Sequence, residues 1–204
     1  MTNEKIIESG FKELISIHLK SEKVIDLKNR LLDYEFNPIY PDDKYVWLSN
    51  TLALKGVDSG NFGIGSILVD FCGNVVIQGH NEVLNPYFRS DRHAEMVVID
   101  EFEISHSDIL EQDYTLYTSI EPCPMCSVRL ITSSIKKVMY AAIDTKGGMI
   151  REMKNLPQLW IELSEGKVFS KAICSDELVN IANDIFQLNV DELIEKIKKL
   201  HSNK

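Results

Sequence analysis

Leu116-Tyr117-Thr118-Ser119-Ile120-Glu121-Pro122-Cys123-Pro124-Met125-Cys126 joins a strand, a turn and a helix start in one short stretch. Residues 114–119 are rich in the aromatic and β-branched types that suit a pleated surface, which predicts a strand. Pro122 ends it. Pro124 suits the first position of a helix, where its missing N–H is not needed, and a helix is predicted from Pro124 to about Ser133. Cys123 and Cys126 are three residues apart, so the start of that helix can aim both sulfurs at one point. The partial positive charge of a helix N-terminus favours their thiolate forms.

A second helix opening lies upstream at His93-Ala94-Glu95, after a loop of turn residues from Asn81 to Arg92. Zinc takes His nitrogen and Cys sulfur, and catalytic zinc sites commonly use three protein ligands, leaving a fourth position for water. A bound zinc lowers the pKa of such a water, and a nearby carboxylate can then carry protons; Glu95 is that carboxylate. His93 and Glu95 are two residues apart and so roughly 200° apart around a regular helix. Both can face one site only at an irregular first turn. The competing readings are a purely structural zinc site or buried thiols for the Cys pair and His93, and an exposed first-turn carboxylate for Glu95. His80 is either a fourth ligand or a polar loop residue.

Outward from these motifs, residues 3–33 read as helical. Ile7, Phe11, Leu14, Ile15 and His18 follow one face, and Val24, Ile25, Leu27, Leu31 and Leu32 follow a cap at Ser21. Asn37-Pro38 and Pro41-Asp42 break the pattern. Residues 1–41 form an N-terminal helical extension, which either covers an apolar patch or binds a partner. Asp42 is placed to cap a helix holding Tyr45, Trp47, Leu48, Leu52 and Leu54. Gly63–Asp70 and Asn74–Gly79 read as a hairpin about Cys72-Gly73-Asn74. Residues 136–143 give a fourth strand and Val168–Ile173 a fifth. Strands that alternate with helices imply parallel pairing in an α/β domain over 42–174. A C-terminal helix packs on it over 175–204, capped by Ser175, with Leu178, Ile181, Ala182, Ile185, Phe186, then Val190, Leu193, Ile194 and Ile197 as its apolar stripe.

The chain has 204 residues, 44% hydrophobic and 26% charged, which excludes a disordered, collagenous or disulfide-dense class. With 22 basic and 31 acidic residues its net charge is −9, so no global attraction to phosphate backbones or anionic membranes is expected. The opening Met-Thr-Asn-Glu-Lys has no secretory pattern and no apolar run approaches a bilayer span, so a cytoplasmic location is expected. Cys72 and Cys174 read as small apolar residues.

His-x-Glu followed by Pro-Cys-x-x-Cys is the pattern of the zinc deaminases. Residues 42–143 resemble the cytidine deaminase superfamily on its nucleobase and tRNA-adenosine side. The stretch 116–126 is similar to bacterial guanine deaminases, and Phe62-Gly63 and Gly79-His80-Asn81 fit the same pattern. The resemblance implies an α/β three-layer sandwich, a central mixed five-stranded sheet with helices on both faces. It implies one zinc held by His93, Cys123 and Cys126, Glu95 as proton shuttle, Asn81, Phe62 and Ala94 at the substrate, and a homodimer. Arg89-Ser90-Asp91-Arg92 departs from the family's Pro-Thr-Ala before the His-Ala-Glu motif, while Asp144-Thr145-Lys146-Gly147-Gly148 is similar to tRNA adenosine deaminases. Tyr87 and Phe88 either stack on a base or anchor the loop; Arg89 and Arg92 either contact phosphate or stay solvated. The expected reaction is hydrolytic deamination of a free nucleobase or nucleoside. The alternatives are a tRNA adenosine deaminase, with Lys136, Lys137, Lys146 and Arg151 as its basic cluster, and a non-catalytic zinc domain that senses nucleotides or binds a partner.

Overall fold

A computed structural model describes residues 3–105 and 113–202. Two helices come first, α1 (Asn3–Ser16) and α2 (Glu22–Leu32), then α3 (Asp43–Asp58) and the hairpin β1 (Gly65–Val69) and β2 (Val75–His80). α4 (Ala94–Ser105), β3 (Thr115–Ile120), α5 (Pro124–Thr132) and β4 (Lys137–Ala142) follow. A 3-10 helix at Ile150–Asn155, α6 (Gln158–Ser164), β5 (Val168–Lys171), α7 (Asp176–Gln187) and α8 (Val190–Ser202) complete the chain.

The five strands form one sheet in the order β2-β1-β3-β4-β5. β3, β4 and β5 are parallel, as their helical crossovers require. β1 is antiparallel to both β2 and β3, so the sheet is mixed, as expected: a tight hairpin reverses β1 into β2, and the long connection through α4 brings β3 back beside β1. The weakly patterned fifth strand is present, shorter than expected at four residues.

Alternating side chains of the strands supply the two inner faces. Ile67, Val69, Val75 and Tyr117 point to a core shared with α1, α2, α3 and α7. Leu68, Ile77, Leu116 and Val138 point to the other, with Val98, Ile99 and Phe102 of α4 and Leu130 of α5. α4 lies tight on the hairpin because Gly79 leaves room: a Cβ there would stand 2.8 Å from Val97 Cγ1.

Four local readings change. The buried stripe of α1 is Ile6, Gly10 and Leu14, while Ile15 is 73% exposed, since the helix lays Gly10 on the indole of Trp47 with Phe11 edge-on beside it. Asp42 makes no side-chain cap bond; its carboxylate instead accepts from Tyr117 Oη (2.7 Å) and Ile173 N (2.7 Å). The C-terminal segment is two helices, because Leu188 and Asn189 interrupt it. The Ser21 and Ser175 caps form, accepting from Val24 N and Leu178 N. Cys72 is exposed in the hairpin turn, not a small core residue.

Candidate active site

The end of β3 and the start of α5 bring the two sulfurs to the mouth of the sheet. Cys123 is the extended N-cap residue of α5, Pro124 opens the helix, and Cys126 sits one turn in, fully buried. Across from them, His93 stands just before α4, and Val97 N already donates to its carbonyl (2.9 Å). His93 therefore keeps non-helical freedom while Glu95 lies in the first turn. That irregularity lets residues two apart serve one place, as the spacing required.

His93 Nδ1 lies 3.6 Å from Cys123 Sγ, and the nitrogen and both sulfurs lie within 4.8 Å of one another. A tetrahedral zinc with Zn–S of about 2.3 Å and Zn–N of about 2.1 Å sets N···S edges of about 3.6 Å. The donor set and its spacing thus fit zinc. Among the described residues this is the one such cluster, and His80 is not in it: its Nδ1 is 2.9 Å from the Asn81 carbonyl oxygen. Glu95 is 3% exposed, with Oε2 3.5 Å from Cys126 Sγ, so its carboxylate stands beside the cluster.

The groups perturb one another. The hydrogen bond from the Cys126 thiol, with help from His93, holds Cys123 down to about 4 despite burial, and pushes Cys126 well up. Burial, then the Cys123 charge, raises Glu95. Burial opposes the charged form of His93, but hydrogen bonding and charge from Cys123 prevail and raise it.

A cavity of about 530 Å³ opens onto the cluster. His93, Glu95 and Cys123 lie at one end of it, and Asn81 and Phe62 also line it. Asn81 is 1% exposed; its Oδ1 accepts from Val83 N (3.1 Å), and its Nδ2 has no partner among the described residues. Ala94 is fully buried and does not line the cavity, because the first turn of α4 turns its methyl inward. Phe88 reaches the cavity, whereas Tyr87 is 63% exposed and does not. Arg89 pairs with Asp91 (2.6 Å) and Arg92 with Glu82 (2.6 Å), so neither is a free phosphate contact.

The sequence reading missed the opposite wall. Phe186 of α7 and Val190, Ile194 and Ile197 of α8 close the cavity. They were legible only as part of an apolar helical stripe, which does not say what the stripe covers. Glu121 was also missed. Its side chain is fully buried and accepts from Arg151 N (3.0 Å) and Arg151 Nε (2.9 Å), which ties the residues before Cys123 to the loop after β4.

Residues 40–142 match the family model described as "Cytidine and deoxycytidylate deaminase zinc-binding region". The tRNA-specific adenosine deaminase of Bacillus subtilis is 36% identical over 117 residues, covering 57% of this chain and 71% of that protein. The tRNA-specific adenosine deaminase of Aquifex aeolicus is 32% identical over 104 residues, covering 51% and 68%. Among solved structures, a tRNA:A34 deaminase superposes with TM-score 0.56 at 23% identity, covering 67% of this chain and 97% of its own. The guanine deaminase of Nitrosomonas europaea superposes with TM-score 0.55 at 16% identity, covering 83% and 94%. At those identities the two structures speak for the fold alone. No described helix is long and apolar enough to cross a membrane. The family model spans half of the chain, its zinc-binding region contains the His93, Cys123 and Cys126 cluster, and the fold agrees; the chain belongs to the cytidine and deoxycytidylate deaminase family, hydrolases that act on C–N bonds with zinc as cofactor.

Proposed function

We propose that this protein deaminates a small amino-bearing heterocycle, a free nucleobase or nucleoside, with His93, Cys123 and Cys126 as zinc ligands and Glu95 as proton shuttle. The observation that carries the reading is the cavity. One end joins the ligand cluster and the buried Glu95, its walls are largely apolar, and among the described residues no Lys or Arg lines it. A planar aromatic ring with a few polar edges suits such walls.

The bound zinc supplies Lewis acidity that makes hydroxide available near neutral pH. The protein's own residues do the rest. Glu95 takes one proton of the attacking water and delivers it to the ring nitrogen, then takes the proton left on the added oxygen and passes it to the departing amino group. The water oxygen bonds to the ring carbon, the exocyclic C–N bond breaks, and an oxo-heterocycle and ammonia result. Asn81, its Oδ1 committed to Val83 N, offers Nδ2 as a donor to a ring acceptor. Phe62 and Phe88 flank the ring.

A second reading, deamination of adenosine within tRNA, is favoured by the names of the curated relatives. The described structure gives it weaker footing. Of its basic cluster, Lys136 pairs with Asp113 and Arg151 with Glu121, so few cations are left for phosphates. A homodimer is expected from the family resemblance, and light scattering on the purified protein reads it.

The test is ammonia release by zinc-loaded protein from guanine, cytosine, adenine and their nucleosides, beside an adenosine-containing anticodon stem-loop. Release from a base or nucleoside is the expected result. Release from the stem-loop alone replaces this reading with the second.

A further inference from the structure

We infer that the N-terminal helices brace the wall of the substrate cavity, with Tyr34 and Arg30 as positioning residues for α7 and α8. The inference rests on the reading of that cavity as the substrate site.

The wall consists of Phe186 near the end of α7 and Val190, Ile194 and Ile197 on α8. α8 rests on the loop after β2 through Leu193 against Val83 and Leu84, and where it stands depends also on how α7 is held, since the two are joined by only Leu188 and Asn189. Three of the contacts that hold α7 come from before residue 40, outside the span of the family model. The first is a partly buried joint at its N-terminus. Tyr34 Oη donates to Asp43 Oδ2 (2.6 Å), and lies 2.6 Å from Ser175 Oγ, the cap of α7. Asp43 is 2% exposed, and its other oxygen accepts from Ser175 N (2.8 Å). One phenol therefore ties the end of the N-terminal extension, the start of α3 and the cap of α7 together. A tyrosine proton given to Asp43 leaves Ser175 to donate to Tyr34, and the cap oxygen still accepts from Leu178 N, so every group in the joint is satisfied.

The second and third contacts run along α7. Arg30 Nε donates to Glu177 (2.9 Å) and Arg30 Nη1 to Asp184 (2.8 Å). Those carboxylates are seven residues apart, two turns of α7, so one guanidinium spans the helix. Exposed ion pairs stabilise little singly, but a rigid fork engaging two turns fixes orientation. Beneath them, Leu27 and Leu31 of α2 share a core with Leu178 and Ile181 of α7. The arrangement holds α7 in register with the sheet, and Phe186, Val190 and Ile194 move with it.

Tyr34→Phe and Arg30→Ala test this in the zinc-loaded full chain, with hydrogen exchange, zinc content and steady-state kinetics on whichever heterocycle releases ammonia. The expected result is faster amide exchange over residues 176–202 and KM raised by about three- to tenfold, the share of one net hydrogen bond. Zinc stays at one per chain and kcat is little changed. Arg30→Lys recovers part of the KM. Asp70→Ala, which loosens the hairpin turn far from α7, serves as a control for general destabilisation and leaves exchange over 176–202 as in the parent. Unchanged exchange over 176–202 in both variants overturns the brace, as does the same change in the Asp70→Ala control. Faster exchange there in a protein that releases no ammonia from any heterocycle keeps the brace and instead sinks the substrate reading.

Discussion

At the scale of single residues, the site places one carboxylate and three ligand atoms within contact of each other, and each has a separable consequence. Glu95 is buried beside the cluster but supplies none of its three ligand atoms. Glu95→Ala is expected to lower turnover by at least about 10²-fold, the range of a lost general acid–base group, with one zinc per chain retained in elemental analysis. Loss of zinc together with activity would instead make Glu95 part of the metal site. Cys126 behaves differently, because its fully buried sulfur is one of the three ligand atoms. Cys126→Ala is expected to lose stoichiometric zinc and, with it, turnover. A strong chelator applied to the parent protein gives the same loss, restored on adding zinc back; an inactive parent that regains nothing on zinc would contradict the assignment.

Elements pack at two places where a single side chain sets the outcome. Gly10 lies in the middle of α1, where alanine would ordinarily favour the helix by about 1 kcal/mol. Here a Cβ would stand 2.1 Å from Trp47 Cζ3, and the indole is fixed by its bond to Leu31 O (2.8 Å). Overpacking of a fixed ring costs about 1–3 kcal/mol and outweighs the propensity gain, so Gly10→Ala is expected to lower the midpoint of urea unfolding. A raised midpoint would mean that α1 shifts freely on α3. The hairpin turn is held by Asp70, whose carboxylate accepts from Cys72 N (2.9 Å), Asn74 N (2.8 Å) and Asn74 Nδ2 (3.0 Å). Burial opposes the charge, but the Asn74 side chain and the two backbone donors prevail and lower its pKa. A lowered folded-state pKa means that the unfolded chain binds the proton more readily. The stabilisation is therefore complete above the ordinary aspartate range and is lost as pH falls through the lower folded value. Asp70→Ala is expected to cost about 1 kcal/mol at neutral pH, as a lost cap does, and the gap to the parent narrows in acid. A gap that widens on acidification would reverse the assignment.

For the whole molecule the deciding quantity is charge. A net −9 surface and a cavity without cations give a tRNA few phosphate contacts. Binding of unmodified tRNA, followed by filter retention, is expected to be weak and to fade to background by about 150 mM salt. Tight binding with a steep salt slope would show that the paired cations open to meet RNA and would favour the tRNA reading.

Much of this protein was decided locally. Pro122-Cys123-Pro124-Met125-Cys126 and His93-Ala94-Glu95 announce the metal cluster because helix starts impose short, fixed geometry that sequence spacing records. The strands and caps at Ser21 and Ser175 are legible for the same reason: they depend on neighbours within a few residues. Other features needed the folded chain. The antiparallel pairing of β1 with β3, the capture of Asp42 by Tyr117 and Ile173 and the turn of Ala94 into the interior join residues far apart in sequence or depend on how whole helices lie. The stripe Phe186, Val190, Ile194 read as apolar from sequence, but whether such a stripe faces a core or a cavity depends on what stands opposite. Opposite it stand residues of the zinc site about a hundred positions away. Periodicity carries no information across that distance; only packing does.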